Sequence, residues 1–256
     1  MLTDQLIAER SPPPLGPAAD WTIPQHWERF TANEHRVWDI LFARQQRMLG
    51  SRAVRAFHDG LDILHLSRPG IPHLDELNER LFARTGWTVV SVPGLVPDDI
   101  FFEHLSKRRF PAGNFIRSAE QLDYLEEPDV FHDVFGHVPL LAQPAVADFM
   151  QAIGEHGLQA LDAGALHRLA RLYWYTVNSG LPGEDGALRI YGAGILSSFG
   201  ESRYALESPV PHRRGFDMRC VLRTRYRSDA FQRCYFVIDS FDDLLDRRIQ
   251  GDLAPL

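Results

Sequence analysis

His132 and His137 stand five residues apart in an otherwise apolar run, PDVFHDVFGHVPLL (128–141), with Asp133 beside the first. Two such imidazoles suit iron, copper, nickel or zinc, and one carboxylate more would complete the facial triad of the oxygenase type. The spacing sets a condition. On a regular helix, residues four apart share a face, whereas residues five apart are splayed by roughly 140°. Both imidazoles reach one ion only if the turn between them gives way, and Gly136 and Pro139 are placed to end or distort a helix there. Pro128 suits the first turn of that helix, where Asp129 adds favourable negative charge. Spacing alone leaves a plainer alternative open: two histidines satisfied by hydrogen bonds at a helix end. A zinc hydrolase is disfavoured, because neither HExxH nor HxxEH occurs in the chain.

The elements that must position this motif read mostly as helices. Asn33 suits the N-cap of a helix carrying Val37, Ile40, Leu41 and Met48 at helical spacing. Further helices are expected around Ser51–Leu64, from His73 to Thr85 with Gly86 as its stop, and at Ile100–Arg108, Pro144–His156, Ala163–Val177 and Phe241–Arg248. Thr88–Val92 (TVVSV) is the clearest strand; Phe110–Ile116 looks extended, and CVLRT (220–224) and CYFVI (234–238) are two further candidates. Ala187–Tyr191 and Gly192–Ser198 read as a glycine-rich loop with room for a short strand. The fold class expected is mainly α (α+β), a single domain with a few short strands. Residues 1–20, rich in proline and alanine, read as a loosely ordered N-terminal arm ahead of a domain spanning 21–256.

Composition narrows the function classes. With 256 residues and 45% hydrophobic content, the chain can bury a large core. A formal charge of −7 with no basic run gives a nucleic-acid or anionic-membrane role no electrostatic footing. Two cysteines, Cys220 and Cys234, imply no disulfide framework and fit a reducing cytoplasm. No apolar stretch approaches the ~20 residues needed to span a bilayer.

Three blocks then occur in order: FIRSAEQLDYLEEPDVFHDVFGHVPLL, LARLYWYTVNSGL and YGAGILSSFGES. Through them the chain resembles the pterin-dependent aromatic amino acid hydroxylases, most closely the compact bacterial phenylalanine hydroxylases, from about Trp21 to Arg247. The resemblance implies a catalytic domain of that type and a non-haem Fe(II) monooxygenase. Tetrahydropterin and O₂ would be used to hydroxylate the ring of phenylalanine to tyrosine. His132 and His137 fall on the two iron-binding histidines. Arg117 falls on the arginine that grips the substrate carboxylate, a task suited to a bidentate guanidinium, with a surface ion pair as the alternative. Phe101 falls on the aromatic that stacks against the pterin, and Gly94, Leu95 and Val96 on the loop whose backbone meets the pterin edge. Asp133 occupies an acidic position near the pterin. Tyr124 and Pro128 fall on pocket-lining positions, Trp174 on the amino-acid side, and Ser197 and Ser198 on a loop used for substrate contacts and contacts behind the ligands. The implied partners are an aromatic L-amino acid and O₂, in a cytoplasmic monomer with no nucleic acid and no membrane.

One departure matters. The family places its third iron ligand, a glutamate, where YWYTVNSG puts Asn178, and Ser179 replaces the following phenylalanine. An amide oxygen is neutral and a weaker donor than a carboxylate. Three readings stay open. Asn178 or a water could complete the site; another carboxylate (Glu201, Asp133, Glu184 or Asp185) could substitute; or the vacated position could take an outside ligand or a different metal and change the reaction. The rival functions are a homologue of altered chemistry on another aromatic amino acid, and a non-catalytic binder of aromatic amino acid or pterin.

Overall fold

A computed structural model describes residues 18–123, 127–227 and 230–239. The expected helix at Phe241–Arg248 and the pocket residue Tyr124 lie outside the described residues. The order begins with α1 (Ala32–Leu49), α2 (Arg55–Ile63), α3 (Leu74–Thr85), β1 (Thr88–Val92), α4 (Asp98–Ser106) and β2 (Arg109–Gly113). A π-helical segment, Phe131–His137, runs straight into α5 (Val138–Leu141), followed by α6 (Pro144–Asp162) and α7 (Leu166–Tyr173). A second π-helical segment, Trp174–Asn178, continues α7. The remainder is β3 (Leu181–Glu184), β4 (Ala187–Leu188), α8 (Ala193–Leu196), α9 (Phe199–Glu207), β5 (His212–Gly215), α10 (Met218–Arg223) and β6 (Cys234–Ile238).

Helices dominate, as the sequence pattern predicts, and the strands are short. β1 and β2 pair in parallel across α4. The other sheet has the order β4-β3-β6-β5, parallel except at β3–β4. The core is continuous from Trp38 and Phe57 on the first two helices to Tyr235 on β6. It encloses the histidine segment, whose Phe131 and Phe135 are fully buried and stacked at 4.7 Å.

Several local expectations give way. The cap of α1 is Thr31, not Asn33: the Thr31 side chain accepts from Glu34 N–H while the Glu34 carboxylate takes the Thr31 N–H, a full capping box. CVLRT is the body of α10 rather than a strand, started by Asp217, whose carboxylate accepts from Cys220 N–H at 2.8 Å. Only Val221 of that helix is buried, so one apolar contact and a cap outweigh the β-branched content. The expected loop over 187–198 holds the short strand β4, as allowed for, but also the helix α8, and β3 and β5 were not anticipated. Residues 18–20, expected at the end of a loose arm, are tied down. Asp20 accepts from Arg109 at 3.0 Å and its carbonyl lies 2.8 Å from His104 Nε2. Among the described residues no helix is long and apolar enough to cross a membrane.

Candidate active site

The distortion required between His132 and His137 is present, and it is a π-helix. In that geometry hydrogen bonds run from i to i+5, so residues five apart come into register instead of splaying. The two imidazoles meet edge to face, with centroids 5.2 Å apart. The second π segment does the same for Tyr173 and Asn178, and both line the same cleft as the histidines.

Between the two segments sits α8. Gly136 packs so closely on it that a Cβ there would lie 2.7 Å from the Ala193 carbonyl. On the other side, a Cβ at Gly194 would come within 2.7–3.0 Å of the Asn178 amide. α8 therefore requires small residues on both flanks, and it fixes the separation of the two segments. From its end Ser197 faces His132: the serine hydroxyl donates to the Ala193 carbonyl at 2.9 Å, and His132 Nδ1 lies 2.8 Å from Ser197 Oγ. With the serine proton committed, Nδ1–H must be the donor, which leaves the lone pair on Nε2.

Burial pushes His132 down to about 4, against the pull of Asp129, and pushes His137 well below its ordinary value. Both rings are neutral at pH 7, as metal-binding imidazoles must be. His137 Nδ1 is buried with no hydrogen-bond partner among the described residues. Candidate donor atoms of His132, Asp133 and His137 all lie within 4.8 Å of one another. Burial raises the Asp133 carboxyl to about 8, opposed by the Gly113 N–H that donates to Oδ2 at 2.8 Å. Two neutral nitrogens and an oxygen, converging in a buried corner, fit a divalent first-row metal such as iron.

The cleft encloses about 920 Å³ of empty space, part of it open to solvent. Its walls include Gly94, Leu95, Val96, Phe101, Pro128, Trp174 and Asn178, alongside the three metal candidates. Ten residues singled out in the sequence are thus brought together. Phe101 lies edge to face with Tyr173 at 5.4 Å, and Leu95 N–H donates to Glu127 at 3.0 Å. Trp174 stacks on Tyr226 at 4.3 Å.

Arg117 and Ser197 are not among the cleft-lining residues. Ser197 lies behind His132. Arg117 is no surface ion pair: it is buried, and Asp129, fully buried, takes its Nε at 2.8 Å and Nη2 at 2.9 Å. Asp129 also accepts from the backbone N–H of Arg117 at 2.9 Å and of His132 at 3.0 Å, joining the arginine to the histidine segment. Burial opposes the charge on Asp129, but Arg117 prevails and holds the carboxyl below its ordinary value. Asp129, Tyr173 and Tyr226 were missed as site residues. Asp129 carried a signal, three residues before a candidate ligand histidine and beyond Arg117 in the same block; Tyr226 had none.

Comparison with known proteins identifies the family and the fold. The family described as biopterin-dependent aromatic amino acid hydroxylase matches residues 22–250. A phenylalanine-4-hydroxylase from Caulobacter vibrioides is 60% identical over 232 residues, covering 91% of this chain and 79% of the relative. A structure of the phenylalanine hydroxylase of Chromobacterium violaceum with bound iron(III) and oxidised 7,8-dihydrobiopterin superposes with a TM-score of 0.89 at 52% identity, covering 94% of this chain and 86% of that one. An iron- and phenylalanine-bound structure of the same enzyme gives 0.86 at 48% identity, covering 93% and 89%.

Proposed function

The chain belongs to the biopterin-dependent aromatic amino acid hydroxylases, and on that premise we propose that it hydroxylates the ring of phenylalanine to give tyrosine, using iron(II), a tetrahydropterin and O₂. The observation that carries this is the convergence of two neutral imidazoles and a carboxylate on a cleft walled by Phe101. When bound, iron and pterin together activate O₂, sending one oxygen atom to the substrate ring and the other to the bridgehead carbon of the pterin.

The chain's own residues bind and orient. His132 and His137 hold the metal, with Ser197 fixing the tautomer of the first. Phe101 offers a ring face to the pterin, and the backbone of Gly94, Leu95 and Val96 meets its edge. Arg117 holds the substrate carboxylate through Nη1, the guanidinium nitrogen that Asp129 leaves free, and Trp174 lines the amino-acid side. Pre-pairing with Asp129 locks the guanidinium plane before substrate arrives, which lowers the entropic cost of binding. A cytoplasmic monomer serving phenylalanine catabolism is the setting that fits.

Asn178 favours a second reading: altered chemistry on another aromatic amino acid, or binding without catalysis. Purified protein supplied with iron(II), tetrahydropterin, phenylalanine and air separates them. Many turnovers of tyrosine per site support the hydroxylase. Absence of tyrosine, with metal and phenylalanine both bound, transfers the conclusion to the second reading.

A further inference from the structure

The iron-pterin reading leaves one position open, the carboxylate that the sequence lacks at Asn178, and the structure narrows the substitutes. Glu201 is half-buried and committed elsewhere: it accepts from Tyr235 Oη at 2.6 Å and Gln232 N–H at 3.4 Å. Glu184 accepts from Arg55 N–H at 3.2 Å, and Asp185 pairs with the Arg55 side chain at 3.7 Å. Both oxygens of Asp129 are taken by Arg117 and the backbone of His132. Asp98 lines the cleft yet is not in the histidine cluster. Among the described residues, Asp133 alone groups a carboxylate oxygen with both histidines.

We propose that Asp133, not residue 178, is the third protein ligand of the metal, giving a two-histidine, one-aspartate site carried wholly by the first π segment. This rests on the metal reading above. The Gly113 N–H holds Oδ2 at 2.8 Å, and no donor of the described structure bonds Oδ1. Three donors bonded to one ion at about 2.0–2.2 Å stand about 3.0–3.8 Å apart. The 4.8 Å envelope is an upper bound on the present separations, and it closes with side-chain movements of at most about 1–2 Å. Charge points the same way. A dipositive ion between two neutral imidazoles in a buried corner needs an anion, and Asn178 supplies none. The Asn178 amide has no hydrogen-bond partner among the described residues and lies packed on Gly194. It lines the cleft.

The test is cobalt(II) titration of the metal-stripped full chain, followed by visible absorption and chelator competition. Asp133→Asn is expected to weaken cobalt binding by more than the ~100-fold that loss of an outer partner can cost. Asp133→Glu should recover most of that loss, and Asn178→Ala should shift affinity less than ~3-fold, well under the outer-partner range. The double variant Asp133→Asn, Asn178→Glu should regain tight binding, which only a folded protein can do. Infrared difference spectra of the unmutated protein labelled with ¹³C-aspartate give a reading independent of any variant. A cobalt-induced shift of a labelled carboxylate band supports the assignment, and no shift overturns it. Asn178→Ala as damaging as His132→Ala, with Asp133→Asn within threefold of the parent, also overturns it. Cobalt binding indifferent to His132→Ala would instead sink the metal reading itself.

Discussion

The two π-helical segments face the same cleft and are built to opposite standards. In Phe131–His137 three polar groups are held from behind: His132 by Ser197, Asp133 by the Gly113 N–H, and the backbone of His132 by Asp129, while His137 Nδ1 has no partner among the described residues. In Trp174–Asn178 neither polar side chain that lines the cleft is held. The Asn178 amide has no partner among the described residues, and Trp174 Nε1 is buried without one. The first segment is organised for a charged ligand, whose donors must be fixed in tautomer and direction. The second is organised for shape, with Tyr173 and Trp174 presenting rings. A π turn solves the same register problem in both, but only the first groups side chains of metal-binding type among the described residues.

This contrast can be broken at graded cost. The largest effect belongs to His137→Ala, which should cut iron(II) affinity beyond the 10–100-fold of an outer partner, whereas Tyr173→Phe should leave it within that range. Competition with a chelator measures both. Equal losses would erase the distinction. Next comes Asp129→Asn, which leaves the buried Arg117 guanidinium unpaired and should destabilise the fold by about 3–5 kcal/mol, read as a fall in the urea midpoint. Ser197→Ala releases the His132 tautomer and should weaken metal binding by about 10–100-fold with little change in the urea midpoint. A metal affinity unchanged by Ser197→Ala would mean that the hydroxyl does not orient the ring.

On the second segment, Gly194→Ala inserts a methyl against the Asn178 amide and should cost about 1–3 kcal/mol in stability while sparing metal affinity. The smallest effect lies on the cleft wall beyond both segments. Burial, helped by neighbouring Asp99, lifts Asp98 from 3.8 to about 6. The folded protein keeps that proton over a range in which the unfolded chain has released it. The Asp98 contribution is complete below pH 3.8 and is lost as pH rises through 6, at no more than about 1.4 kcal/mol per pH unit. Asp98→Asn should flatten that decline, and the parent-minus-variant difference in urea midpoints from pH 4 to 7 isolates it.

Much of the site was readable because its chemistry is local. His132, Asp133 and His137 declare themselves by type, and their five-residue spacing demanded a distorted turn, which the structure supplies as a π-helix. The long helices followed from apolar periodicity. The failures have physical causes. Thr31 outcompeted Asn33 as a cap because the capping box needs Glu34 three residues on, a pattern present in TANE but passed over. CVLRT folds as a helix because Asp217 caps it. Residues joined only by the fold were beyond reach: that Asp129 would occupy two edges of Arg117, that Tyr226 would cover Trp174, and that Glu201 would be consumed by Tyr235.

The central claim is that this cleft transfers oxygen from O₂ to an aromatic amino acid. The most direct test is the reaction run under ¹⁸O₂ with iron(II), tetrahydropterin and phenylalanine, with tyrosine and pterin analysed by mass spectrometry. The account predicts tyrosine carrying one ¹⁸O in its ring hydroxyl, formed over many turnovers and matched by hydroxylated pterin. Pterin oxidised without labelled tyrosine, while phenylalanine and metal are both bound, would contradict it.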